Sequence, residues 1–183
     1  RLGGGTERSN LALLQRVRAE NPDAILIYKP HPDVEAGLRP GLIAASDLDG
    51  CVDVLAPGAS AADLMAVVDE VWTMTSTLGF EALLRGLPVT TLGAPFYAGW
   101  GLTRDLGPIP ARRRARLDLA ALAHAALIAY PRYSDPVSGL PCPPELALER
   151  LAEPGPAGQP GKALRLLSKL QGAYAGSSWI WRH

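Results

Sequence analysis

The chain has 183 residues, enough for one well-cored domain with appendages. Its 18 basic and 18 acidic residues cancel, which excludes a global pull toward nucleic acid or an anionic membrane and leaves only local patches to act that way. Hydrophobic residues make up 48% of it, ordinary for a globular core, and no apolar run approaches the roughly 20 residues that span a bilayer.

Arg1-Leu2-Gly3-Gly4-Gly5 reads as a linker, and a start at Arg1 with neither Met nor signal peptide predicts a piece of a longer protein. Thr6 or Ser9 caps a helix carrying Leu11, Leu13, Leu14 and Val17, which Asn21-Pro22 stops. Ala24 to Tyr28 is short, branched and continuous, the pattern of a strand buried on both faces. Gly37 to Ala45 is a loop, or a short helix after Pro40. Cys51 to Leu55 predicts a second strand, stopped by Pro57-Gly58. Ser60 then caps a helix through Val67-Val68.

Glu70 to Met74 predicts a third strand and Thr75 to Thr77 a turn. Gly79 to Arg85 is a helix ended by Gly86, and Pro88 to Leu92 a fourth strand. This alternation predicts an α/β fold, a Rossmann-like parallel sheet flanked by helices. Gly93 to Leu106 is a long loop holding Phe96, Tyr97 and Trp100; loops of that length are usually functional. Beyond the arginine-rich Arg112 to Arg116 come a helix over Asp118 to Ala129, a loop over Pro141 to Pro144, and a helix over Glu145 to Leu151. A Pro/Gly hinge over Glu153 to Gly161 and a last helix from about Lys162 to Tyr174 lead to the Ser177 to Trp181 tail. We therefore expect a Rossmann-like core over 1–110 and a helical extension over 111–183 packed on it. Cys51 and Cys142 lie far apart in no metal or redox spacing, which predicts buried free thiols more readily than a disulfide.

Two clusters lie where a strand hands over to a loop or helix, the rim at which open α/β sheets bind ligands. In the first, His31 can donate to a phosphate oxygen, Lys29 adds a point charge, and Pro30 and Pro32 stiffen the loop. In the second, the Thr75, Ser76 and Thr77 hydroxyls and the free N–H groups of a helix start suit an anion, and Gly79 admits close approach to the backbone. Ordinary N-capping accounts for the same residues and is compatible with phosphate binding. Glu81 is placed to bridge the hydroxyls of a ribose, or to favour the helix end as an acid. Asp47-Leu48-Asp49 has the spacing of a metal-binding pair but sits at the wrong end of the sheet. Arg112 to Arg116 reads as a solvated basic turn, or as a contact for an anionic polymer or lipid headgroup; without interleaved aromatics it does not predict nucleic acid.

Tyr28 to Val34, Thr75 to Val89 and Pro95 to Thr103, with Tyr130-Pro131-Arg132-Tyr133 and Cys142-Pro143-Pro144-Glu145, resemble the bacterial capsular-polysaccharide β-Kdo transferases. Kdo is the acidic sugar 3-deoxy-D-manno-oct-2-ulosonic acid. The resemblance implies one half of a GT-B-like enzyme using CMP-Kdo, with no metal at the phosphate and no cofactor. By that likeness His31 meets the CMP phosphate, Ser76 and Thr77 hold it, Glu81 takes the ribose, and Tyr97 and Trp100 belong to the family's most specific segment. The acceptor half and the catalytic carboxylates would lie outside this chain. The implied partners are the donor, a lipid-linked saccharide acceptor, the missing N-terminal half and capsule assembly proteins, and the implied location is cytoplasmic and peripheral at the inner membrane. A non-catalytic nucleotide-binding or scaffolding module of a capsule assembly and export complex, and a UDP-sugar transferase or epimerase half, remain the other readings.

Overall fold

The computed structural model describes residues 9–38 and 40–152. The linker at 1–5 and the hinge, helix and tail expected beyond Glu153 lie outside the described residues. The chain forms two compact units divided between Leu122 and Ala123, and the arginine-rich segment lies in the first of them.

Helix α1 runs Asn10–Glu20, and of its two candidate caps Ser9 accepts the Ala12 N–H at 3.1 Å. Strand β1, Ile27–Tyr28, is followed by α2, Pro32–Glu35, then by α3, Ala45–Leu48; residues 40–44 form a loop, the first of the two alternatives for that stretch, and the helix begins only at Ala45. Strand β2 is Val54–Leu55, and α4, Ala61–Met65, is capped by Ser60 as expected but ends before Val67. Strand β3, Val71–Thr73, leads to α5, Leu78–Leu84, and then to β4, Val89–Thr91. Strand β5, Arg104–Asp105, was not foreseen; it closes the long loop by pairing with β4.

All pairings in this unit are parallel, as the helix–strand alternation requires, but they form two ladders and not one four-stranded sheet. Ile27 and Tyr28 align with Val54 and Leu55 in one, while β3-β4-β5 form the other with Val71 opposite Val89. The expected two-faced burial of the first strand is also corrected. Ile25 is 78% exposed, and Val54 and Leu55 of β2 are exposed too. An apolar run shows that a face wants covering, not that this chain supplies the cover.

The core lies instead on β3 and β4. Phe80, Ala82 and Leu83 of α5 cover them, and β4 is buried at every residue because a strand flanks it on each side. Its two buried threonines are tolerated because their hydroxyls are satisfied: Thr90 donates to Glu70 Oε1 at 2.6 Å and Thr91 to Asp105 Oδ1 at 3.1 Å. Gly86, at φ +78°, ends α5 in a Schellman turn, its N–H donating to the Leu83 carbonyl while the Leu87 N–H reaches Ala82, both at 3.0 Å.

At the other end of the strands, Asp53 ties three elements together. Its Oδ2 accepts the Leu26 N–H at 2.7 Å and pairs with Arg18 of α1 at 2.5 Å. The backbone bond first, and then Arg18, hold its carboxyl below the ordinary value of 3.8. The stability this contributes is present above that ordinary value and is lost as pH falls through the lowered folded one. Asp53→Asn is therefore expected to flatten the acid limb of a stability-against-pH curve followed by urea unfolding. An unchanged acid limb would show that Asp53 does not couple to folding.

Helix α6, Leu119–His124, runs across the division and passes into a π-helical turn over Ala125–Ala129 in the second unit, with the Tyr130 N–H reaching Ala125 at 3.1 Å. One continuous α-helix was expected there. Strand β6, Tyr133–Ser134, where no element was expected, and β7, Pro141–Cys142, in the expected loop over Pro141 to Pro144, pair as an antiparallel hairpin. Buried Asp135 organises the turn by accepting from Val137 N–H, Ser138 N–H and the Ser138 hydroxyl. Helix α7, Pro144–Ala152, brings Arg150 to within 3.5 Å of Asp135. Cys51 and Cys142 are free and half-buried.

Candidate functional site

The turn after β3 is held from inside. The Thr73 hydroxyl accepts the Ser76 N–H at 3.2 Å, and Ser76 Oγ accepts the Leu78 N–H at 3.2 Å. Ser76 thus does the local capping, while Thr77, the residue before α5, makes no side-chain cap bond. Thr75, Ser76 and Thr77 are exposed, and the backbone N–H groups of Thr75 and Thr77 have no acceptor among the described residues. Two amides without an acceptor and two hydroxyls, those of Thr75 and Thr77, thus stand in an exposed turn beside the Ser76 hydroxyl, groups of the kind that take an anionic oxygen.

Two expected contacts change role. Gly79 is buried, and a Cβ there would lie 2.3 Å from the Tyr97 hydroxyl oxygen, so its missing side chain admits Tyr97 and not a ligand. Tyr97 has no exposed surface; its hydroxyl donates to the Ser76 carbonyl at 2.5 Å, and its ring packs against Phe80 and Phe96. Burial pushes its phenol far above the ordinary value of 10.0, which keeps it a donor. The specific aromatic segment therefore shapes the turn from beneath. Sequence spacing could not reveal this, because Gly79 and Tyr97 meet only through tertiary packing.

The loop carrying Tyr97 is itself clamped by Asp105, which the sequence did not single out, and by Arg113. Asp105 Oδ2 accepts the Gly99 N–H at 3.0 Å, and Oδ1 accepts the Thr91 and Thr103 hydroxyls. Arg113, half-buried and not merely a solvated basic residue, donates to the Pro95 carbonyl and to Ala98 at 2.7 Å. Burial pulls its guanidinium below the ordinary value. Trp100 lies 5.7 Å from that guanidinium and donates its indole N–H to the Phe96 carbonyl at 2.7 Å. Arg113→Met would strand those carbonyls. We expect a loss of about 2–3 kcal/mol in denaturant unfolding, the scale for charged hydrogen bonds; a loss below about 0.5 kcal/mol would remove the clamp role.

His31 and Pro32 open α2, where His31 Nδ1 accepts the Asp33 N–H at 3.1 Å. In the neutral ring the proton then sits on Nε2, so the side chain presents a donor outward while Nδ1 serves the helix. His31 and Pro32 are exposed and Lys29 is half-buried. Glu81, in the first turn of α5, is also exposed. Neither the Lys29 ammonium nor the Glu81 carboxylate has a hydrogen-bond or ion-pair partner among the described residues. Asp47 and Asp49 flank the end of α3, and among the described residues no three of His, Cys, Asp or Glu gather to hold a metal.

Direct contacts join the 75–77 turn, Gly79, Tyr97 and Trp100 into one assembly. Among the described residues no hydrogen bond or ion pair connects that assembly to Lys29, His31 or Pro32. The strand directions relate them. The end of α1 touches the entries of β1 and β2 through Arg18 and Asp53, and that of β5 through Glu20 and Arg104 at 2.6 Å. β5 runs parallel to β4 and β3, so the strand entries lie on the α1 side. His31 after β1 and Thr75 to Thr77 after β3 both stand at strand exits, the ends away from those contacts.

Comparison with known proteins gives consistent findings. Residues 1–133 match the family of capsule polysaccharide biosynthesis proteins. The capsule polysaccharide modification protein LipA of Neisseria meningitidis serogroup A is 53% identical over 127 residues, 69% of this chain and 18% of LipA. The lipopolysaccharide-processing protein LpsZ of Rhizobium meliloti is 43% identical over 132 residues, 72% of this chain and 30% of LpsZ. Among solved structures, the β-Kdo 2,7 transferase of Thermosulfurimonas dismutans KpsC superposes with a TM-score of 0.72 at 40% identity, covering 81% of this chain and 47% of that one. The β-Kdo 2,4 transferase of the same KpsC gives 0.61 at 38% identity, covering 72% and 40%. This chain thus spans less than a third of the length of these curated relatives and less than half of the solved chains. With its parallel strands, its flanking helices and the exit-rim turn held by Tyr97, the chain is a member of the capsule polysaccharide biosynthesis protein family, related to the capsule β-Kdo transferases.

Proposed function

We propose that this chain is the donor-binding part of a retaining β-Kdo transferase that uses CMP-Kdo in capsular polysaccharide assembly. The observation that carries the reading is the exposed turn at Thr75 to Thr77, in which the Thr75 and Thr77 amides have no acceptor among the described residues, in a chain 40% identical to a β-Kdo 2,7 transferase. The site offers groups for one phosphate and not a metal-bridged diphosphate. His31 Nε2–H and the turn bind the CMP phosphate, Lys29 adds charge, and Glu81 accepts from the ribose hydroxyls. Negative charge grows on that phosphate as the sugar departs, so donors aimed at it act most strongly in the transition state. CMP-Kdo is itself β-configured, and a β-linked product therefore means retention.

In this reading the acceptor site and the catalytic carboxylates come from outside this chain. The acceptor is a lipid-linked saccharide, and the enzyme works at the cytoplasmic face of the inner membrane beside other capsule assembly proteins. Calorimetric titration of the chain with CMP, UMP and UDP tests the donor assignment. CMP is expected to bind more tightly than UMP or UDP. Preference for UDP would replace the reading with a UDP-sugar enzyme, and failure of all three would leave a scaffolding module.

A further inference from the structure

We propose that Arg112, Arg114 and Arg116 form a docking surface for an anionic lipid bilayer, held in place by the inward-reaching Arg113. The segment 106–117 contains four arginines and no acid. Arg113 turns inward onto the Pro95 and Ala98 carbonyls, while Arg112, Arg114 and Arg116 are exposed. Among the described residues none of these three forms an ion pair. The acids on either side are occupied: Asp105 with Thr91, Thr103 and Gly99, and Asp118 with the Ala121 N–H. The three guanidinium groups are therefore left without a paired carboxylate, in a chain whose formal net charge is zero.

The same clamped loop carries Phe96, 43% exposed, beside the half-buried Trp100. Guanidinium groups with an exposed aromatic ring suit the boundary between headgroups and acyl chains. A single exposed ring is poor equipment for stacking successive bases of a nucleic acid strand. No described helix is long and apolar enough to cross a membrane, so contact through this unit is at the surface. The inference goes beyond the donor reading and does not depend on it, because lipid binding is read with no nucleotide present.

The test is co-sedimentation of the full chain with phosphatidylcholine vesicles and with phosphatidylcholine vesicles containing phosphatidylglycerol. Binding is expected only to the second, and to weaken steeply in 1 M salt, where screening acts within about 3 Å. Each arginine near an anionic surface is worth about fivefold in partition, so the Arg112→Gln, Arg114→Gln, Arg116→Gln variant should lose about a hundredfold. The corresponding triple lysine variant should retain binding, since a bilayer reads charge and not a bidentate fork. Both variants should keep the wild-type thermal midpoint. Equal binding to neutral vesicles, wild-type binding by the folded glutamine variant, or loss of binding in the folded lysine variant would each overturn the proposal. So would retention on a soluble polyanion such as dextran sulfate without any vesicle binding. Loss of CMP affinity with intact vesicle binding would defeat the donor reading and leave this one standing.

Discussion

Gly79→Ala is expected to destabilise the protein by about 1–3 kcal/mol, the range for overpacking a well-filled site. The added methyl would meet the Tyr97 hydroxyl at 2.3 Å and the ring carbon bearing it at 2.7 Å, and neither can swing aside because Tyr97 is fully buried. Tyr97→Ala is expected to cost about 3–5 kcal/mol through the cavity it leaves. The two changes should couple: with Tyr97 truncated, the Gly79 methyl has room and its cost should shrink markedly. A double-mutant cycle by urea unfolding measures this directly. Additive costs would show that the glycine answers to something other than Tyr97. Tyr97→Phe is the finer probe. It removes the bond to the Ser76 carbonyl at a cost of about 1 kcal/mol, and the loosened turn should bind CMP more weakly by more than the stability change alone implies.

Removing His31 carries the second large expectation. His31→Ala is expected to weaken CMP binding by roughly ten- to a hundredfold, the equivalent of about 1.5–3 kcal/mol for one charge-assisted phosphate contact. The histidine also caps α2 through Nδ1, so a stability loss of about 1 kcal/mol is expected alongside. His31→Asn separates the two jobs. Its side-chain oxygen can still accept the Asp33 N–H, so stability should be preserved, while the donor presented by Nε2 is lost and affinity should fall. Ser76→Ala should weaken CMP binding on the other side of the phosphate. Calorimetric titration reads all three variants, and full CMP affinity in His31→Asn and Ser76→Ala together would remove the assigned site.

Much of the fold was legible because its signals are local. Ser9 and Ser60 cap helices as their chemistry predicts, Gly86 ends α5, and helix–strand alternation announces parallel pairing. The hairpin of β6 and β7 was missed because its organiser, Asp135, works by accepting backbone N–H groups across a turn, and its strands hold only Tyr133–Ser134 and Pro141–Cys142. Strand β5 was missed for a related reason. Arg104–Asp105 has no strand pattern of its own and is extended because β4 offers an unpaired edge. The π-helical turn at Ala125–Ala129 leaves no mark in an alanine- and leucine-rich run suited to an α-helix.

The site divides along the same line. Which groups stand at strand exits could be read from the residues alone, because a turn of hydroxyls after β3 and a Pro-flanked histidine after β1 are short-range patterns with short-range consequences. Tertiary structure alone decided what each group does there. Gly79 yields its side-chain space to a tyrosine distant in the chain, Tyr97 braces Ser76 from a sealed position, and Arg113 turns inward from a run of arginines that otherwise faces water. A residue's neighbours in sequence set its backbone conformation, but its role follows from which buried carbonyl, ring or carboxylate it meets. Those meetings exist only once the chain has packed.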